Sequence, residues 1–598
     1  MDLMARLKRD FRFLRGLFRT LARVRSIAPD SPNLICDDLE AAVDAWRERR
    51  AITFEGRTIS YGELDAMANR YAHWAQEHGV HKGDVVALFA PNRLDYLAIW
   101  YGLSKVGVAT ALINNNLTGA PLSHCLNVSN AGHAIVDDET AAALEAVRVQ
   151  LKRALTVWTL GKIAAGQHDL SKALLSCSPL RPDRATREDL RARSVALYIF
   201  TSGTTGLPKA ARITHMRAQL YMRGFAGSTG STERDRIYVV LPMYHATGGL
   251  CGMGAALLNG GSVLLRTKFS ASHFWSDVRD EGCTMFVYIG ELCRYLVNQP
   301  PREEETGHKL RLAFGNGLRP EVWETFQSRF RIPDILEFYG STEGNVSLFN
   351  FDGKLGAIGR IPSYLQSRFN TRLVRFDVET EAPVRGPDGR CQPTAVDEVG
   401  ECIGLIQASN ARSEYTGYAD KAASETKVLH DVFAPGDAWF TTGDLMRQDA
   451  EGYFYFVDRV GDTFRWKGEN VSTSEVAEQL AVLPGIKEAT VYGVRVGDMD
   501  GRAGMASLVV GEGEGFDIAN LAAQVDAAMP AYQRPVFVRL QPEMEITGTF
   551  KYRKMDLVAD GFDPAKIKQP LHFKHPDKGY VKLTKGVFDK IMTGTVRI

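Results

Sequence analysis

The sequence lacks the cysteine and histidine spacings that build zinc sites and disulfide frameworks. Its 598 residues include eight cysteines and 13 histidines, but no Cys-x-x-Cys pair and no histidine cluster beside a cysteine. Neither a structural zinc site nor a disulfide-rich fold is therefore indicated. A short apolar segment followed by a small-residue cleavage site is also absent. Together these absences predict a reducing, cytoplasmic location.

The chain has almost no excess of charge. Lys and Arg number 72 and Asp and Glu 71, so the formal net charge is +1, which argues against a nucleic-acid partner. No internal repeat or low-complexity tract is evident. The charged stretch Arg181–Arg193 is predicted to be a solvated surface connection. The length alone predicts two or more domains.

Long apolar segments are scarce, and Ile237–Leu265 is the segment that a hydropathy scan would mark as a candidate membrane span. It contains no Asp, Glu, Lys or Arg and is long enough to cross a bilayer. It also contains Pro242, His245, Asn259 and six glycines. This composition favours a strand, a loop and a tightly packed helix in a water-soluble domain over a membrane span.

The N-terminal residues 1–27 have the pattern of a basic amphipathic helix. Two interpretations remain open: a peripheral anchor on the cytoplasmic face of an anionic membrane, which the dense arginine face favours, and a helix docked on its own protein. The apolar face would comprise Leu3, Met4, Leu7, Phe11, Leu14, Phe18 and Leu21, and the opposite arc Lys8, Arg9, Arg12, Arg15, Arg19 and Arg23.

From about residue 45 onward the sequence alternates between apolar strand-like runs and amphipathic stretches. Val85–Phe89 is such a run, and residues 60–78 are such a stretch. This alternation predicts an α/β fold, in which ligand sites lie at the carboxyl ends of parallel strands.

The segment Tyr198–Ala211 has the composition of a phosphate-binding loop. Glycine permits positive φ and a close approach of the backbone, hydroxyl groups donate hydrogen bonds to phosphate oxygens, and lysine adds a mobile positive charge. The spacing is not the Walker pattern, because Leu-Pro separates Gly206 from Lys209. The predicted phosphate contacts are Thr201, Ser202, Gly203, Thr204, Thr205, Gly206 and Lys209.

The same segment resembles the signature loop of the adenylate-forming superfamily, and further motifs of that superfamily follow in order. They are Tyr339-Gly-Ser-Thr-Glu-Gly344, Thr442-Gly-Asp-Leu445 and Thr547-Gly-Thr-Phe-Lys551. The stretch Val457–Val476 resembles the signature of the fatty acid transport protein and very-long-chain acyl-CoA synthetase branch. The resemblance runs from about residue 45 to the C-terminus.

This resemblance implies an α/β fold with a large N-terminal adenylate-forming domain of several subdomains and a small mobile α+β C-terminal domain. We expect the large domain at residues 28–458 and the small one at 459–598, with Gly461 at the position of the hinge. A glycine absorbs a large change in φ and ψ without steric cost.

The resemblance also implies the chemistry. A fatty acid carboxylate attacks the α-phosphate of ATP to give acyl-AMP and pyrophosphate, and the thiol of coenzyme A then displaces AMP. Lys551, carried by the small domain, would stabilise the charge on the α-phosphate, with Lys554 close by as an alternative. Glu343 and Thr201 would bind Mg²⁺, and Thr342 would contact the phosphates.

The remaining assignments concern the base, the ribose and the acyl group. Asp444 would accept hydrogen bonds from the ribose hydroxyls with Arg459 nearby, His245 would border the acyl pocket, and Trp466 would shape the coenzyme A face. The adenine side would be formed by Gly315, Asn316, Gly317, Tyr339, Gly340 and Ser341.

The leading hypothesis is an ATP-dependent long-chain or very-long-chain fatty acyl-CoA synthetase, linked to fatty acid uptake through thioester trapping. Two alternatives stay open: a fatty acyl-AMP ligase that loads a carrier protein, and a membrane-associated fatty acid binding or uptake protein. A homodimer is compatible with each of them. The sequence leaves the preferred chain length open.

Overall fold

The computed structural model describes the chain apart from residues 1–2, 202–206, 409, 498, 500, 512–514, 546–551, 553 and 597. The described chain divides into two compact units. The first comprises residues 1–370, 404–430 and 438–440, and the second residues 371–403, 431–437 and 441–598.

The helices account for much of the first unit and also occur in the second. They are α1 (Leu3–Val24), α2 (Ile35–Trp46), α3 (Tyr61–Glu77), α4 (Tyr96–Lys105), α5 (Gly119–Ser129), α6 (Asp138–Val147), α7 (Leu170–Ser176), α8 (His215–Ser228), α9 (Met253–Leu257), α10 (Phe274–Asp280), α11 (Gly290–Val297), α12 (Pro320–Arg329), α13 (Lys421–Glu425), α14 (Thr473–Ala481), α15 (Ile518–Ala528), α16 (Lys554–Asp560) and α17 (Lys585–Met592).

The strands alternate with these helices in the first unit and become denser in the second. They are β1 (Arg50–Phe54), β2 (Arg57–Ser60), β3 (Val85–Phe89), β4 (Ala109–Leu112), β5 (His133–Asp137), β6 (Thr156–Leu160), β7 (His168–Asp169), β8 (Val195–Thr201), β9 (Lys209–Thr214), β10 (Arg236–Val239), β11 (Ser262–Leu265), β12 (Met285–Ile289), β13 (Leu312–Asn316), β14 (Asp334–Gly340), β15 (Ser347–Phe349), β16 (Gly359–Arg360), β17 (Thr371–Asp377), β18 (Ala382–Pro383), β19 (Gly400–Leu405), β20 (Val428–His430), β21 (Ala438–Gln448), β22 (Tyr453–Arg459), β23 (Phe464–Trp466), β24 (Glu469–Val471), β25 (Ile486–Val494), β26 (Ala503–Val510), β27 (Phe537–Gln541), β28 (Leu571–His575) and β29 (Gly579–Lys582).

Two large sheets organise the first unit. One has the strand order β7-β6-β5-β3-β4-β8-β9 and the other β15-β14-β13-β12-β10-β11-β1-β2. In the second of these sheets, the pairs from β14 through β12 and β10 to β1 are parallel, and the outer pairs β14–β15 and β1–β2 are antiparallel. Parallel strands are covered on both faces, which explains apolar runs such as Val85–Phe89. The predicted α/β fold is confirmed.

The apolar segment 237–265 lies inside the first unit, as its glycine and proline content predicts. It forms most of β10, a π-helical turn Thr247–Gly252, α9 and β11. Gly249 has no room for a side chain, since a Cβ there would lie 2.1 Å from the carbonyl oxygen of Met243. Within the described residues, no helix is long and apolar enough to cross a bilayer.

In the second unit, β25 to β29 follow one another in a five-stranded sheet, and β22, β21, β19, β17 and β18 are successive neighbours in another. The predicted domain boundary at residues 458/459 falls within this unit. β21 and β22 form an antiparallel pair in which Asp444 faces Arg459, so the chain on both sides of residue 458 belongs to one hairpin. Helix α14 and strand β25 follow later in the chain.

The N-terminal helix α1 is docked on the first unit. Phe13 is 1% exposed and meets Phe351 edge to face at 6.0 Å. Gly16 faces the ring of Phe351, which lies 2.3 Å from where a Cβ would be. The opposite face is apolar and open, with exposed fractions between 59% and 68% for Met4, Leu7, Phe11 and Phe18.

The prediction that Arg181–Arg193 is solvated is wrong for its central residue. Arg187 is 4% exposed, and its guanidinium donates to Asp37 Oδ1 at 2.9 Å and Glu40 Oε2 at 2.7 Å. The sequence conceals this because the partners lie in α2, about 150 positions earlier. The stretch therefore fastens α2 instead of merely linking two strands.

We predict that Arg187→Met destabilises the first unit by about 2 kcal/mol, because Asp37 and Glu40 lose their hydrogen bonds to a buried guanidinium while Arg184 and Lys105 stay beside them. Urea-induced unfolding followed by fluorescence measures the loss. Arg191→Met in the same stretch changes an exposed residue and should have little effect. Equal losses in the two variants would contradict a buried ion-pair role for Arg187.

Candidate active site

The predicted phosphate loop begins and ends on two neighbouring strands. Thr201 is the last residue of β8 and pairs with Lys209, the first residue of β9. Both residues are partly buried. Ser202, Gly203, Thr204, Thr205 and Gly206 lie outside the described residues. The structure thus brings the two ends of the loop side by side, as a loop that encloses a phosphate chain requires.

A tyrosine that the sequence analysis missed connects this loop with Glu343. The Tyr418 hydroxyl donates to Glu343 Oε1 at 2.8 Å, and Lys209 Nζ lies 5.4 Å from the centre of the Tyr418 ring. Burial, followed by the neighbouring Glu343 carboxylate, raises the pKa of the Tyr418 phenol. The phenol therefore stays protonated and remains a hydrogen-bond donor. No spacing in the sequence marks this residue.

The Tyr-Gly-Ser-Thr-Glu-Gly loop follows β14 and is held by α8. The buried Arg217 guanidinium donates to the carbonyl oxygens of Thr342 at 2.8 Å and Ser341 at 3.0 Å, and also to that of Gly344. Tyr221, one helical turn later, donates to the Ser341 carbonyl at 3.0 Å. These bonds fix the backbone of the loop, while the side chains of Thr342 and Glu343 remain partly exposed.

The predicted adenine-side residues lie on adjacent parallel strands. Gly315 of β13 pairs with Glu337 of β14, so Gly315, Asn316 and Gly317 end next to Tyr339 and Gly340 at one sheet edge. Gly317 has a φ of 78°. The Gly317 carbonyl packs against Gly290, where a Cβ would lie only 1.7 Å from its oxygen. The structure therefore brings together the two motifs predicted to bind the base.

His245 lies in the turn between β10 and the π-helical segment Thr247–Gly252. Its ring is partly buried and lies 4.5 Å from the Tyr244 ring. π-helical turns occur often at functional sites, which supports but does not test a substrate-side role. That role stays a prediction.

The predicted ribose-binding residues lie in the second unit. Asp444 Oδ1 is 3.8 Å from Arg459 Nε, and both side chains are partly exposed. The Asp444 N–H donates to the Thr442 hydroxyl at 3.1 Å, and the Gly443 N–H donates to Glu401 Oε1 at 3.1 Å. The Thr-Gly-Asp segment within β21 is therefore held by these bonds and presents its carboxylate beside a guanidinium.

Trp466 packs in the core of the second unit. Its side chain is 2% exposed and belongs to a cluster that includes Val471 and Val491. The neighbouring Lys467 is exposed, and its Nζ donates to the carbonyl oxygen of Ile598 at 3.2 Å. This burial does not favour the predicted contact of Trp466 with coenzyme A. The side chain packs in the core instead.

Lys551 lies outside the described residues. The structure does describe its alternative, Lys554. Lys554 Nζ donates to the Thr473 hydroxyl at 2.8 Å and to Asp462 Oδ2 at 3.2 Å. Thr473 in turn donates its N–H to Asp458 Oδ2 at 2.6 Å. Because Lys554 is engaged within the second unit, Lys551 is the better candidate for a lysine that reaches substrate.

The donor set suits Mg²⁺ better than a softer metal. Glu343 offers a carboxylate and Thr201 a hydroxyl, both of them hard oxygen ligands. No group of three or more His, Cys, Asp or Glu side chains that could hold a metal ion occurs among the residues that the structure describes. Mg²⁺ is commonly bound by one or two carboxylates together with phosphate oxygens, so this sparse set fits.

We predict that Tyr418→Phe raises the Mg²⁺ concentration for half-maximal pyrophosphate release by about threefold to tenfold, since the carboxylate of Glu343 loses one hydrogen bond. The ring beneath Lys209 is kept, so the effect isolates the hydroxyl. Tyr415→Phe is the matched control, because the Tyr415 hydroxyl donates to a backbone carbonyl oxygen, that of Ser424, at 3.3 Å and not to a carboxylate. An unchanged Mg²⁺ dependence in Tyr418→Phe would refute this role.

Comparison with known proteins places these observations in a family. The family described as AMP-binding enzyme matches residues 39–401, and the AMP-binding enzyme C-terminal domain matches residues 475–551. Long-chain fatty acid transport protein 6 of Mus musculus is 41% identical over 92% of this chain and 88% of its own length. Long-chain fatty acid transport protein 3 of Mus musculus is 42% identical over 86% of this chain and 78% of its own length.

Solved structures share the fold at lower identity. ATP-bound MatB from Rhodopseudomonas palustris superposes with a TM-score of 0.74 at 21% identity, covering 88% of this chain and 98% of that chain. This confirms the predicted architecture of a large and a small adenylate-forming domain. The chain therefore belongs to the AMP-binding enzyme family, in the branch formed by the long-chain fatty acid transport proteins.

Proposed function

We propose that this protein is an ATP-dependent fatty acyl-CoA synthetase that acts on long-chain or very-long-chain fatty acids. The observation that carries the proposal is the cluster of Glu343, Tyr418 and Lys209 at the ends of the phosphate loop. It combines a carboxylate for a hard cation with a mobile positive charge for phosphate. The names of the relatives supply the acyl class.

The reaction needs help because a carboxylate is a poor acyl donor and repels nucleophiles. In the first step, the fatty acid oxygen bonds to the α-phosphorus of ATP and pyrophosphate leaves. In the second step, the thiolate of coenzyme A bonds to the acyl carbon and AMP leaves. Mg²⁺, when bound, neutralises phosphate charge. Charge stabilisation and positioning are thus the main tasks of the protein.

The chain's own residues divide these tasks. Glu343 holds the cation while its loop is fixed by Arg217, and Lys209 balances phosphate charge. Asp444 accepts hydrogen bonds from the ribose, with Arg459 beside it. Lys551 brings a further positive charge to the α-phosphate, where negative charge accumulates in the transition state.

Two other functions would use part of the same machinery. A fatty acyl-AMP ligase would pass the acyl group to a carrier-protein thiol, and a binding or uptake protein would not require turnover. A complete set of nucleotide-site residues favours catalysis over binding alone. Conversion to the charged thioester would itself retain a fatty acid inside the cell, so uptake can follow from catalysis.

A product assay separates these functions. The protein is incubated with ATP, Mg²⁺, coenzyme A and oleate or a longer fatty acid, and AMP, pyrophosphate and thioester are followed separately. Thioester formation that depends on coenzyme A supports the synthetase. Acyl-AMP and pyrophosphate without thioester would instead indicate the carrier-protein ligase, and no turnover at any chain length would indicate binding or uptake.

We predict that Lys551→Ala lowers the rate of acyl-AMP formation by about a hundredfold or more, because it removes a charge that acts on the transition state. ATP binding, measured by calorimetry, should stay close to wild type. Lys554→Ala is the comparison variant and should mainly lower stability through Asp462 and Thr473. Normal adenylation by Lys551→Ala would overturn the assignment.

We further propose that α1 attaches the protein to the cytoplasmic face of an anionic membrane while remaining docked. The docked face contains Phe13 and Gly16, and the open face contains the apolar side chains. Aromatic and aliphatic side chains on an open helix face insert into the headgroup region, and adjacent basic residues add attraction to anionic lipid. Both interpretations of this helix are then compatible.

We predict that the double variant Phe11→Ser, Phe18→Ser weakens binding to phosphatidylserine-containing vesicles by at least about tenfold, since two large apolar side chains no longer enter the lipid. Co-sedimentation measures the loss. Phe13→Ala removes a buried side chain of the same helix and should lower stability while leaving the lipid-facing side chains in place. Unchanged vesicle binding by the double variant would make α1 a purely structural helix.

A further inference from the structure

A buried carboxyl group lies beneath the predicted adenine-binding edge and has no part in the reaction described above. Glu337 of β14 is 1% exposed. The Tyr288 hydroxyl donates to Glu337 Oε2 at 2.5 Å, and the backbone N–H of Leu318 donates to Oε1 at 3.1 Å. Buried carboxyl groups are costly unless hydrogen-bonded, so a specific arrangement of donors is expected to serve a purpose.

These two bonds cross three neighbouring strands. Tyr288 lies on β12, Glu337 on β14, and Leu318 follows β13 directly. In the sheet, Tyr288 pairs with Gly315, and Gly315 pairs with Glu337. The carboxyl group therefore fastens the segment 315–318 to the strands on both of its sides.

Close contacts with neighbouring backbone also restrict the position of the segment 315–318. A Cβ at Gly315 would lie 2.2 Å from the Tyr288 carbonyl oxygen, and one at Gly290 would lie 1.7 Å from that of Gly317. Glycine at both positions lets the backbones approach this closely. The position of the 315–318 backbone is thus set jointly by contacts with β12 and the first residue of α11 and by the carboxyl group of Glu337.

We infer that Glu337 is a positioning residue that sets the spacing between the Gly315–Leu318 backbone and Tyr339 and thereby selects the nucleobase. The inference rests on the proposed function. Glu337 and Tyr339 are two positions apart on one strand and so project from the same face. A shift of Glu337 would therefore change the distance between the Gly315–Leu318 backbone and Tyr339, which form the two sides of the base site.

The selectivity follows from the chemistry of purine edges. Adenine presents an amino donor where guanine presents a carbonyl acceptor, so a fixed backbone carbonyl accepts a hydrogen bond from the first and repels the second. A backbone free to shift loses this discrimination. The expected signature is therefore a weaker preference for ATP over GTP in addition to weaker ATP binding.

The protonation of Glu337 decides which substitution is conservative. Burial, opposed by the bonds from Tyr288 and Leu318, raises the pKa of this carboxyl to about 8, so the group is largely protonated at neutral pH. A glutamine keeps an acceptor for the Leu318 N–H, and its amide N–H can donate to the Tyr288 hydroxyl oxygen, which then becomes the acceptor of that bond. Glu337→Gln should therefore preserve the loop, whereas Glu337→Leu removes both bonds.

The same sheet provides a matched control at the amino ends of its strands. Asp235 is 5% exposed and accepts from Thr284 at 2.7 Å and from Arg311 at 2.9 Å. Those residues directly precede β12 and β13. Asp235 thus bonds residues at the amino ends of β12 and β13, whereas Glu337 bonds residues near their carboxyl ends. The length of these strands therefore separates Asp235 from the base site.

The test compares Glu337→Leu, Glu337→Gln, Tyr288→Phe and Asp235→Asn in the full-length protein. ATP and GTP affinities are measured by calorimetry, KM and kcat by pyrophosphate release, and stability by thermal unfolding. Glu337→Leu is expected to weaken ATP binding about tenfold and to reduce the ATP-over-GTP preference. Tyr288→Phe should show a smaller change of the same kind, and Glu337→Gln should resemble wild type.

Asp235→Asn should lower the unfolding temperature without changing the ATP-over-GTP preference. The inference is overturned if Glu337→Leu and Tyr288→Phe retain that preference, or if Asp235→Asn alters it equally. Should Glu337→Leu fail to fold, Tyr288→Phe alone decides between these outcomes. Calorimetry tests nucleotide selection even if wild type forms no thioester, so failure of the proposed function is recognised separately.

Discussion

The parallel pairing of β12, β13 and β14 is the constraint on which the base side of the site depends. In a parallel sheet every strand ends at the same edge, and the registers Tyr288–Gly315 and Gly315–Glu337 align these ends to within two residues. Segments far apart in the chain therefore meet at this edge. Loops at this edge can then vary in chemistry while the sheet maintains their spacing.

Alignment of the strand ends does not by itself fix the conformation of a loop. Hydrogen bonds from buried polar side chains do so. Arg217 and Tyr221 bind carbonyl groups of the loop that carries Glu343, and Tyr418 binds the Glu343 carboxylate itself. Such groups cost free energy to bury unless every bond is made, which penalises alternative loop conformations. Preorganised loops avoid the cost of reordering when charge develops during the reaction.

The sequence predicted the fold class, the strand at Val85–Phe89 and the main motifs, because periodicity and glycine-rich loops are local properties. It missed Arg217 and Tyr418, whose partners lie 125 and 75 positions away. It misjudged Arg187 for the same reason, since a run of charges reads as solvated until its partners in α2 are known. Long-range polar contacts leave no local pattern.

The amphipathic helix α1 shows a further limit of periodicity. The apolar stripe of the helical wheel marked the open face, whereas the docked face contains Phe13, Gly16 and Thr20, which are mixed in character. Docking there depends on shape, since Gly16 admits the Phe351 ring. A helix fixed by shape on one side keeps its apolar stripe available on the other. Docking by shape therefore leaves Met4, Leu7, Phe11 and Phe18 exposed on that face, with exposed fractions above one half.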